Sequence, residues 1–267
     1  MSAAIKLSSA ATREFWEIPV LFEDEHLLAL DKPAGVLVLP DPDQAERPSL
    51  MPLLHEGVTA GKSWASERKL NYLTNPHQLD FDVGGVLLLA KSKPVFMALA
   101  DIFSSVKLLT RAHVALAWGV PPGNQFEVVA PLAPHPSQAG KMHVDPRNGK
   151  KATTQFEVLE QFSDWCLLRC LPETERPHQI RVHLKHAGFP VVGDEMYGGK
   201  KLWLSRLKKN YRLKEGREER PLLARPALHF ETLTLTHPIT RQPLTIQSER
   251  PKDLRVALKY LRQFRQG

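Results

Sequence analysis

The spacing of apolar and polar residues predicts more strands than helices in this chain. Short apolar runs bounded by turn residues predict two strands within 18–30 and further strands at 36–39, 86–90, 113–120, 151–171 and 229–236. Apolar residues at helical spacing predict helices over 92–106, 178–187 and 253–264. Because the two kinds of element do not alternate regularly, the sequence predicts an α+β fold with a mixed or antiparallel sheet.

The first two predicted helices carry specific expectations. Ser92 is the expected N-cap of the helix over 92–106, whose apolar stripe comprises Phe96, Leu99, Ala100, Phe103 and Val106. Gly188 is expected to close the helix over 178–187. In that helix Arg181 lies opposite the apolar side, so it is either a surface arginine or a guanidinium that points into a cleft.

Composition narrows the class of protein. The 267 residues are 42% hydrophobic and 24% charged, which excludes wholesale disorder. No apolar run reaches the length of a membrane span, and the first residues lack the apolar stretch of a secretory signal, so we expect a soluble cytoplasmic protein. Cys166 and Cys170 lie too far apart along one predicted strand to form a disulfide, which excludes a disulfide scaffold.

The positive charge is concentrated in one segment. Lys and Arg number 36 against 29 Asp and Glu, a formal charge of +7, and residues 200–220 hold nine of the bases and three of the acids. Trp203 and Tyr211 interleave with these bases, a pattern that suits a nucleic-acid phosphate backbone with rings available for base stacking. A solvated surface segment is the equally open alternative.

Three polar segments are candidate sites: 75–80, 176–181 and 193–198. Asp80 precedes a predicted buried strand, where it either shapes a turn or acts as a catalytic carboxylate. No metal site is expected, because three histidines match no metal-binding spacing: His178, His183 and His186. Nucleotide hydrolysis and serine esterase chemistry lack the Gly-rich loop and the Gly-x-Ser-x-Gly elbow that they require.

Six segments, in order and spacing, resemble the motifs of the RluA-type family of RNA pseudouridine synthases. They are Asp31-Lys32-Pro33-Ala34-Gly35, His77-Gln78-Leu79-Asp80 through Gly85, 111–119, 174–183, 193–198 and 228–238. The resemblance implies the pseudouridine synthase fold, a mixed, mainly antiparallel bent sheet with flanking helices and loops. It also implies a monomer with an N-terminal extension over 1–17, a catalytic domain over 18–267 with a basic insertion at 200–220, and no separate RNA-binding domain.

The resemblance further implies a reaction and a site. Uridine in structured ribosomal or transfer RNA is detached at N1, turned and rejoined to its ribose through C5, which requires neither cofactor nor metal. By position Asp80 is the catalytic carboxylate, and Arg181 pairs with it and favours its ionised form. The flipped nucleotide also needs groups that grip it. The substrate-binding candidates are His77, Gln78, Arg176, His178, Lys200 and Lys201.

Two positions depart from the family pattern in ways that bear on activity. Gln78 stands where the family has the arginine that fills the space left by the flipped base, and His113 replaces the tyrosine that stacks on the uracil. A histidine can stack on a base and can accept a proton near neutrality, so His113 is the third catalytic candidate. Two hypotheses remain: an active RNA pseudouridine synthase, and a weak or inactive RNA-binding relative that acts in RNA folding or ribosome assembly.

Overall fold

The computed structural model describes residues 4–10, 12–44, 46–105, 108–213 and 216–265. The chain forms two compact units. Unit 1 comprises Met1–Arg111 and Phe230–Glu249, and unit 2 comprises Ala112–His229 and Arg250–Gly267. Each unit is therefore built from two separate stretches of the chain.

The regular elements are as follows in chain order. The strands are β1 (Ile5–Ser8), β2 (Phe15–Ile18), β3 (Val20–Glu23), β4 (Leu27–Lys32), β5 (Gly84–Ala90), β6 (Leu109–Trp118), β7 (Gln125–Val129), β8 (Leu132–Pro134), β9 (Met142–Val144), β10 (Thr153–Gln161), β11 (Trp165–Pro172), β12 (Leu228–Thr236) and β13 (Pro243–Gln247). The helices are α1 (Leu50–Thr59), α2 (Ser63–Ser66), α3 (Lys93–Ser104), α4 (Gln179–His186), α5 (Leu204–Leu207) and α6 (Lys252–Phe264).

In unit 1 the central strand is β5, whose residues are all buried. The strand order is β3-β4-β5-β12, with β13 paired to β12, and β1 and β2 form a separate hairpin. Gly85 in β5 has a φ of 125°, and a side chain there would collide with the backbone of Phe230 in β12. Glycine at this position thus permits the close approach of the two strands at the base of the turn that contains Asp80.

In unit 2 the strand order is β6-β11-β10-β7, and each of these pairs is antiparallel. The β8–β9 hairpin places Met142 and Val144 against a small core. That core consists of four buried residues: Leu132, Ala152, Val182 and Tyr197. The hairpin is thereby packed against α4, the helix that carries Arg181.

The predicted α+β class and mainly antiparallel pairing are confirmed, and most predicted elements are present. Cys166 and Cys170 are buried free thiols on β11, and desolvation raises the pKa of Cys166 to about 12. Residues 1–17, predicted as an extension, contribute the buried Ile5 and Leu7 of β1 to unit 1. No helix in the described ranges is long and apolar enough to span a membrane.

The predicted strand at 36–39 is wrong. Residues 36–38 are buried and Leu39 is exposed, and the segment forms only a single bridge, between Leu37 and Ser49. The carbonyl oxygens of Leu37 and Val38 accept hydrogen bonds from the backbone N–H groups of Leu50 and Met51. These carbonyls satisfy donors in the first turn of α1, which explains why an apolar run here does not join a sheet.

Two helix details also differ from expectation. The core-facing residues of α3 are Val95, Leu99 and Ile102, so the predicted stripe is rotated by about one position, and its last member, Val106, lies outside the described residues. Helix α4 begins at Gln179, because His178 precedes it in the left-handed region with a φ of 54°.

Candidate active site

Asp80 lies in the turn that leads into β5. The backbone N–H of Val83 donates to the Asp80 carbonyl oxygen at 3.1 Å, and the Asp80 side chain is partly exposed. The strand that follows is completely buried. Asp80 is therefore a reachable carboxylate at the start of a rigid element, as a catalytic group requires.

Lys32 contacts the backbone of this turn from within the core. Its Nζ donates to the carbonyl oxygens of Val83 at 2.7 Å and Pro33 at 3.0 Å, and further carbonyl oxygens lie at 3.3 Å (Asp80) and 3.4 Å (Phe81). Only 1% of Lys32 is exposed, and a buried ammonium requires such acceptors to offset its lost hydration. Lys32 belongs to the first family-like segment, but sequence reasoning assigned it no role.

His77 is a buried residue of the same segment. Its Nε2 accepts the backbone N–H of Leu88 at 3.0 Å, and its ring stacks on Phe103 at 5.1 Å between centroids. Desolvation, reinforced by the charge of Arg111, lowers the pKa of His77 to about 3. His77 is thus neutral at physiological pH with its proton on Nδ1. The contacts with Leu88 and Phe103 fix the chain just before Asp80. The predicted contact of His77 with the substrate stays a prediction.

The surface of the Asp80 turn is formed by Gln78 and Phe81. Gln78 is exposed, as a residue that meets a substrate must be. Phe81 follows Asp80, and the guanidinium of Arg47 lies 4.0 Å from the centroid of its ring. An arginine is therefore present beside the turn, contributed by a distant part of the chain that sequence reasoning missed.

Arg181 is a buried guanidinium with a fixed orientation. Its Nε and Nη2 donate to the two carboxylate oxygens of Asp194 at 2.7 and 2.9 Å, and both side chains are at least 95% buried. The guanidinium carbon also lies 4.9 Å from the ring centroid of Tyr197. The surface alternative for Arg181 is wrong, because a bidentate carboxylate balances its charge inside unit 2.

Tyr197 connects Arg181 to His178. The phenol oxygen accepts the backbone N–H of Met142 at 2.9 Å and lies 2.7 Å from Nδ1 of His178. Since that phenol has one proton, it can donate to His178 while it accepts from Met142. The left-handed backbone of His178 is held in place by this contact, and strained conformations of this kind cluster at functional sites.

The neighbouring histidine, His183, is structural. Its Nε2 lies 3.0 Å from the carbonyl oxygen of Ala130, and its Nδ1 lies 2.9 Å from the hydroxyl of Thr154. Gln179 also bonds to Thr154, so α4 is attached to β10 at two points. Both ring nitrogens of His183 are thus occupied within the fold. Among the described residues no group of three or more His, Cys, Asp or Glu side chains could hold a metal ion.

His113 lies on β6 directly opposite Cys170 of β11 and is partly exposed. Cys170, its neighbour across the strand pair, is completely buried, and desolvation raises the pKa of its thiol well above its usual value. This arrangement leaves the ring positioned by a strand, as a stacking residue needs to be.

The remaining candidates lie on the surface of unit 2. Arg176 donates from Nη1 to the carbonyl of Glu175, while its Nε is shielded from solvent and has no acceptor among the described residues. Lys200 is exposed, and Lys201 forms an ion pair with Glu195 at 3.1 Å. A cleft of about 470 Å³ is lined by seven residues: Glu195, Gly198, Gly199, Lys200, Lys201, Trp203 and Arg206. A basic cleft with an indole in its wall suits a nucleotide.

The structure thus groups the predicted site residues by unit. In unit 1 a single segment holds His77, Gln78 and Asp80. In unit 2 Tyr197 contacts both Arg181 and His178. The predicted pairing of Asp80 with Arg181 stays a prediction.

Comparisons with known proteins agree with these features. The model of the family described as RNA pseudouridylate synthase matches residues 26–186. The chain is 33% identical over 245 residues to ribosomal large subunit pseudouridine synthase D of Xanthomonas campestris, which covers 91% of this chain and 69% of the relative. It is 32% identical over 247 residues to ribosomal large subunit pseudouridine synthase C of Escherichia coli, which covers 92% and 70%.

The fold is also similar to a solved structure. Human RNA pseudouridylate synthase domain containing 4 superposes with a TM-score of 0.66 at 24% identity, over 91% of this chain and 92% of the human one. The family model covers more than half of the chain, and the bacterial relatives exceed 30% identity over more than nine-tenths of it. The chain therefore belongs to the RluA-type family of RNA pseudouridine synthases and is an RNA-modifying isomerase.

Proposed function

We propose that the protein converts uridine to pseudouridine in ribosomal RNA, with Asp80 as the catalytic carboxylate. The observation that carries this proposal is the geometry of the Asp80 turn. Its carboxylate-bearing residue is partly exposed, and Lys32 holds the backbone of the turn through the carbonyl oxygens of Asp80 and Val83. Ribosomal RNA is the favoured substrate because the bacterial relatives are named as ribosomal large subunit enzymes. The predicted cytoplasmic location agrees with that substrate and stays a prediction.

The reaction requires a bond to break, a base to turn and a bond to form. Asp80 acts at the ribose as nucleophile or base while the N1–C1′ bond breaks, and the turned uracil then bonds to C1′ through C5. The C5 proton is lost and N1 gains a proton, so the product is an isomer of the substrate. His113 stacks on the uracil, as the family tyrosine does, and accepts the C5 proton.

Arg181 serves catalysis, and the other basic groups of unit 2 serve binding. The bidentate contact with Asp194 holds the Arg181 guanidinium in one orientation, and we propose that it faces Asp80 and favours its ionised form. Arg176, His178, Lys200 and Lys201 bind phosphates of the flipped nucleotide and its neighbours. Gln78, exposed on the Asp80 turn, occupies the space that the base leaves.

The test is pseudouridine mapping of total RNA from cells with and without the gene, complemented by variants. Asp80→Ala is expected to abolish one or more pseudouridines while RNA affinity stays near the wild-type value. Asp82→Ala is the matched control, since Asp82 is a partly exposed carboxylate in the same turn, and it is expected to restore the modification.

The alternative, an RNA-binding relative without isomerase activity, predicts a different pattern. In that case no pseudouridine disappears with the gene, and Asp80→Ala behaves as wild type in every assay. Retention of every ribosomal pseudouridine in the deletion strain would overturn the proposed substrate, and loss of a transfer RNA site would reassign it.

A further inference from the structure

The C-terminal helix α6 carries basic side chains along one exposed side. Lys252, Arg255, Lys259 and Arg262 are exposed and are spaced by three, four and three residues. With 3.6 residues per turn they fall within an arc of about 80° and extend over about 15 Å of the helix axis. We call these four residues the α6 basic stripe.

The other side of α6 is part of the core of unit 2. Leu254, Ala257, Leu258 and Leu261 are each at most 2% exposed. The burial of this apolar side fixes the rotation of the helix, so the α6 basic stripe must face outward. It also means that α6 has no apolar face to insert into a lipid surface, as an interfacial helix requires.

Ion pairs fix the two ends of the helix. Near the start, Asp253 accepts a hydrogen bond from Arg225 at 3.1 Å. Near the end, Arg262 makes a bidentate contact with Glu160, at 2.9 Å from Nε to Oε1 and 2.8 Å from Nη2 to Oε2. Glu160 thus offsets part of the Arg262 charge.

The α6 basic stripe continues into the basic segment 200–220. Nη2 of Arg265, just after α6, donates to the carbonyl oxygen of Arg206 at 2.6 Å, and Arg206 belongs to α5. Arg206, Lys208 and Lys209 are exposed beside this junction. Arg206, Lys208 and Lys209 thus form one basic surface with the α6 basic stripe, which begins more than 40 residues later in the sequence.

We propose that the α6 basic stripe binds the sugar–phosphate backbone of the RNA substrate, away from the target uridine. This rests on the proposed function in that RNA is the substrate. A row of Lys and Arg on a rigid helix can neutralise successive phosphates, and it presents no groups arranged to read bases. The stripe therefore contributes affinity and orientation, and its contribution does not depend on the sequence of the RNA.

The test compares two double variants of equal charge change. Arg255→Glu with Lys259→Glu reverses the centre of the stripe, and Lys62→Glu with Lys69→Glu reverses two exposed lysines of unit 1. Affinity for a transcribed large-subunit ribosomal RNA is measured over a range of salt concentrations. The stripe variant is expected to lower the magnitude of the slope of log K against log salt by about two and to bind about tenfold more weakly at 0.1 M salt.

The control is expected to keep the wild-type slope, and thermal unfolding checks that both variants are folded. Arg255→Gln with Lys259→Gln provides a milder change if the reversed charges prevent folding. Equal slopes for the stripe and control variants would overturn the proposal. The proposal would also be overturned if the stripe variant bound RNA as wild type does but no longer bound phosphatidylglycerol vesicles. An absence of isomerase activity in the wild type would refute the proposed function alone, because the slope is measured without catalysis.

Discussion

The ammonium group of Lys32 donates a 2.7 Å hydrogen bond to the carbonyl oxygen of Val83. Lys32 is the last residue of β4 and Val83 immediately precedes β5, and the two lie close together because Lys32 pairs with Gly85 in the antiparallel register. The same ammonium also lies within 3.3 Å of the Asp80 carbonyl. A single buried charge thus fixes both ends of the turn that presents the carboxylate.

Lys32→Met is expected to release this turn. The buried carbonyl oxygens lose their donor, so the free energy of unfolding should fall by about 2–4 kcal/mol, and pseudouridine formation should fall at least tenfold. Denaturant unfolding and a single-turnover tritium-release assay on ribosomal RNA would measure the two effects. Wild-type activity in a stable Lys32→Met protein would contradict the assigned role.

His77 is expected to make the protein sensitive to acid. Its folded-state pKa is about 3, against roughly 6.5 in the unfolded chain, so between these values only the unfolded state takes up the proton. The stability contribution is complete above pH 6.5 and is lost as the pH falls toward 3. From pH 7 to 5 the loss due to His77 should be about 2 kcal/mol.

The measurement is denaturant unfolding of wild type and His77→Gln at both pH values. Gln can accept the Leu88 N–H but does not titrate, so the variant should lose less stability on acidification. His183, whose pKa is also lowered by burial, acts in the same direction in both proteins and cancels in the comparison. Parallel pH dependences would show that His77 is not the responsible group.

Asp194→Asn is expected to be strongly destabilising. The substitution keeps the shape of the side chain but leaves the Arg181 guanidinium, 4% exposed, without its balancing charge. Loss of one partner of a buried pair costs about 3–5 kcal/mol. Glu195→Gln removes the neighbouring carboxylate, which is exposed, and should change stability little. Equal effects of the two variants in thermal unfolding would argue against a buried ion pair as the anchor of Arg181.

His113 can be tested by separating stacking from proton transfer. His113→Phe keeps a ring that stacks on uracil but cannot accept a proton, so RNA affinity should be retained while the single-turnover rate falls about 100-fold. His113→Tyr should keep activity, because it restores the residue that the family has at this position. An unchanged rate in the Phe variant would remove His113 from the proton transfer.

Local sequence patterns were sufficient to predict most strands and helices, but not to predict which residues surround the site. The fully apolar run 86–90 is correctly predicted as a buried strand, because its burial depends on its own composition. Arg181 shows the opposite case, since a helical wheel places it away from the apolar side. Arg181 is buried because it pairs with Asp194, and the position of Asp194 beside α4 cannot be predicted from the local sequence of the helix. The segment 36–39 fails for the same reason, because its hydrogen-bond partners belong to a helix that begins at Leu50.

The two-segment composition of unit 1 has a consequence for biosynthesis. Its strands β12 and β13 are synthesised only after all of the first segment of unit 2, and Gly85 must meet Phe230, 145 residues later, before the sheet is complete. During translation one edge of β5, the strand that follows the Asp80 turn, therefore stays unpaired until β12 has been synthesised. A chain truncated before β12 would therefore lack the strand that supports a site about 150 residues upstream.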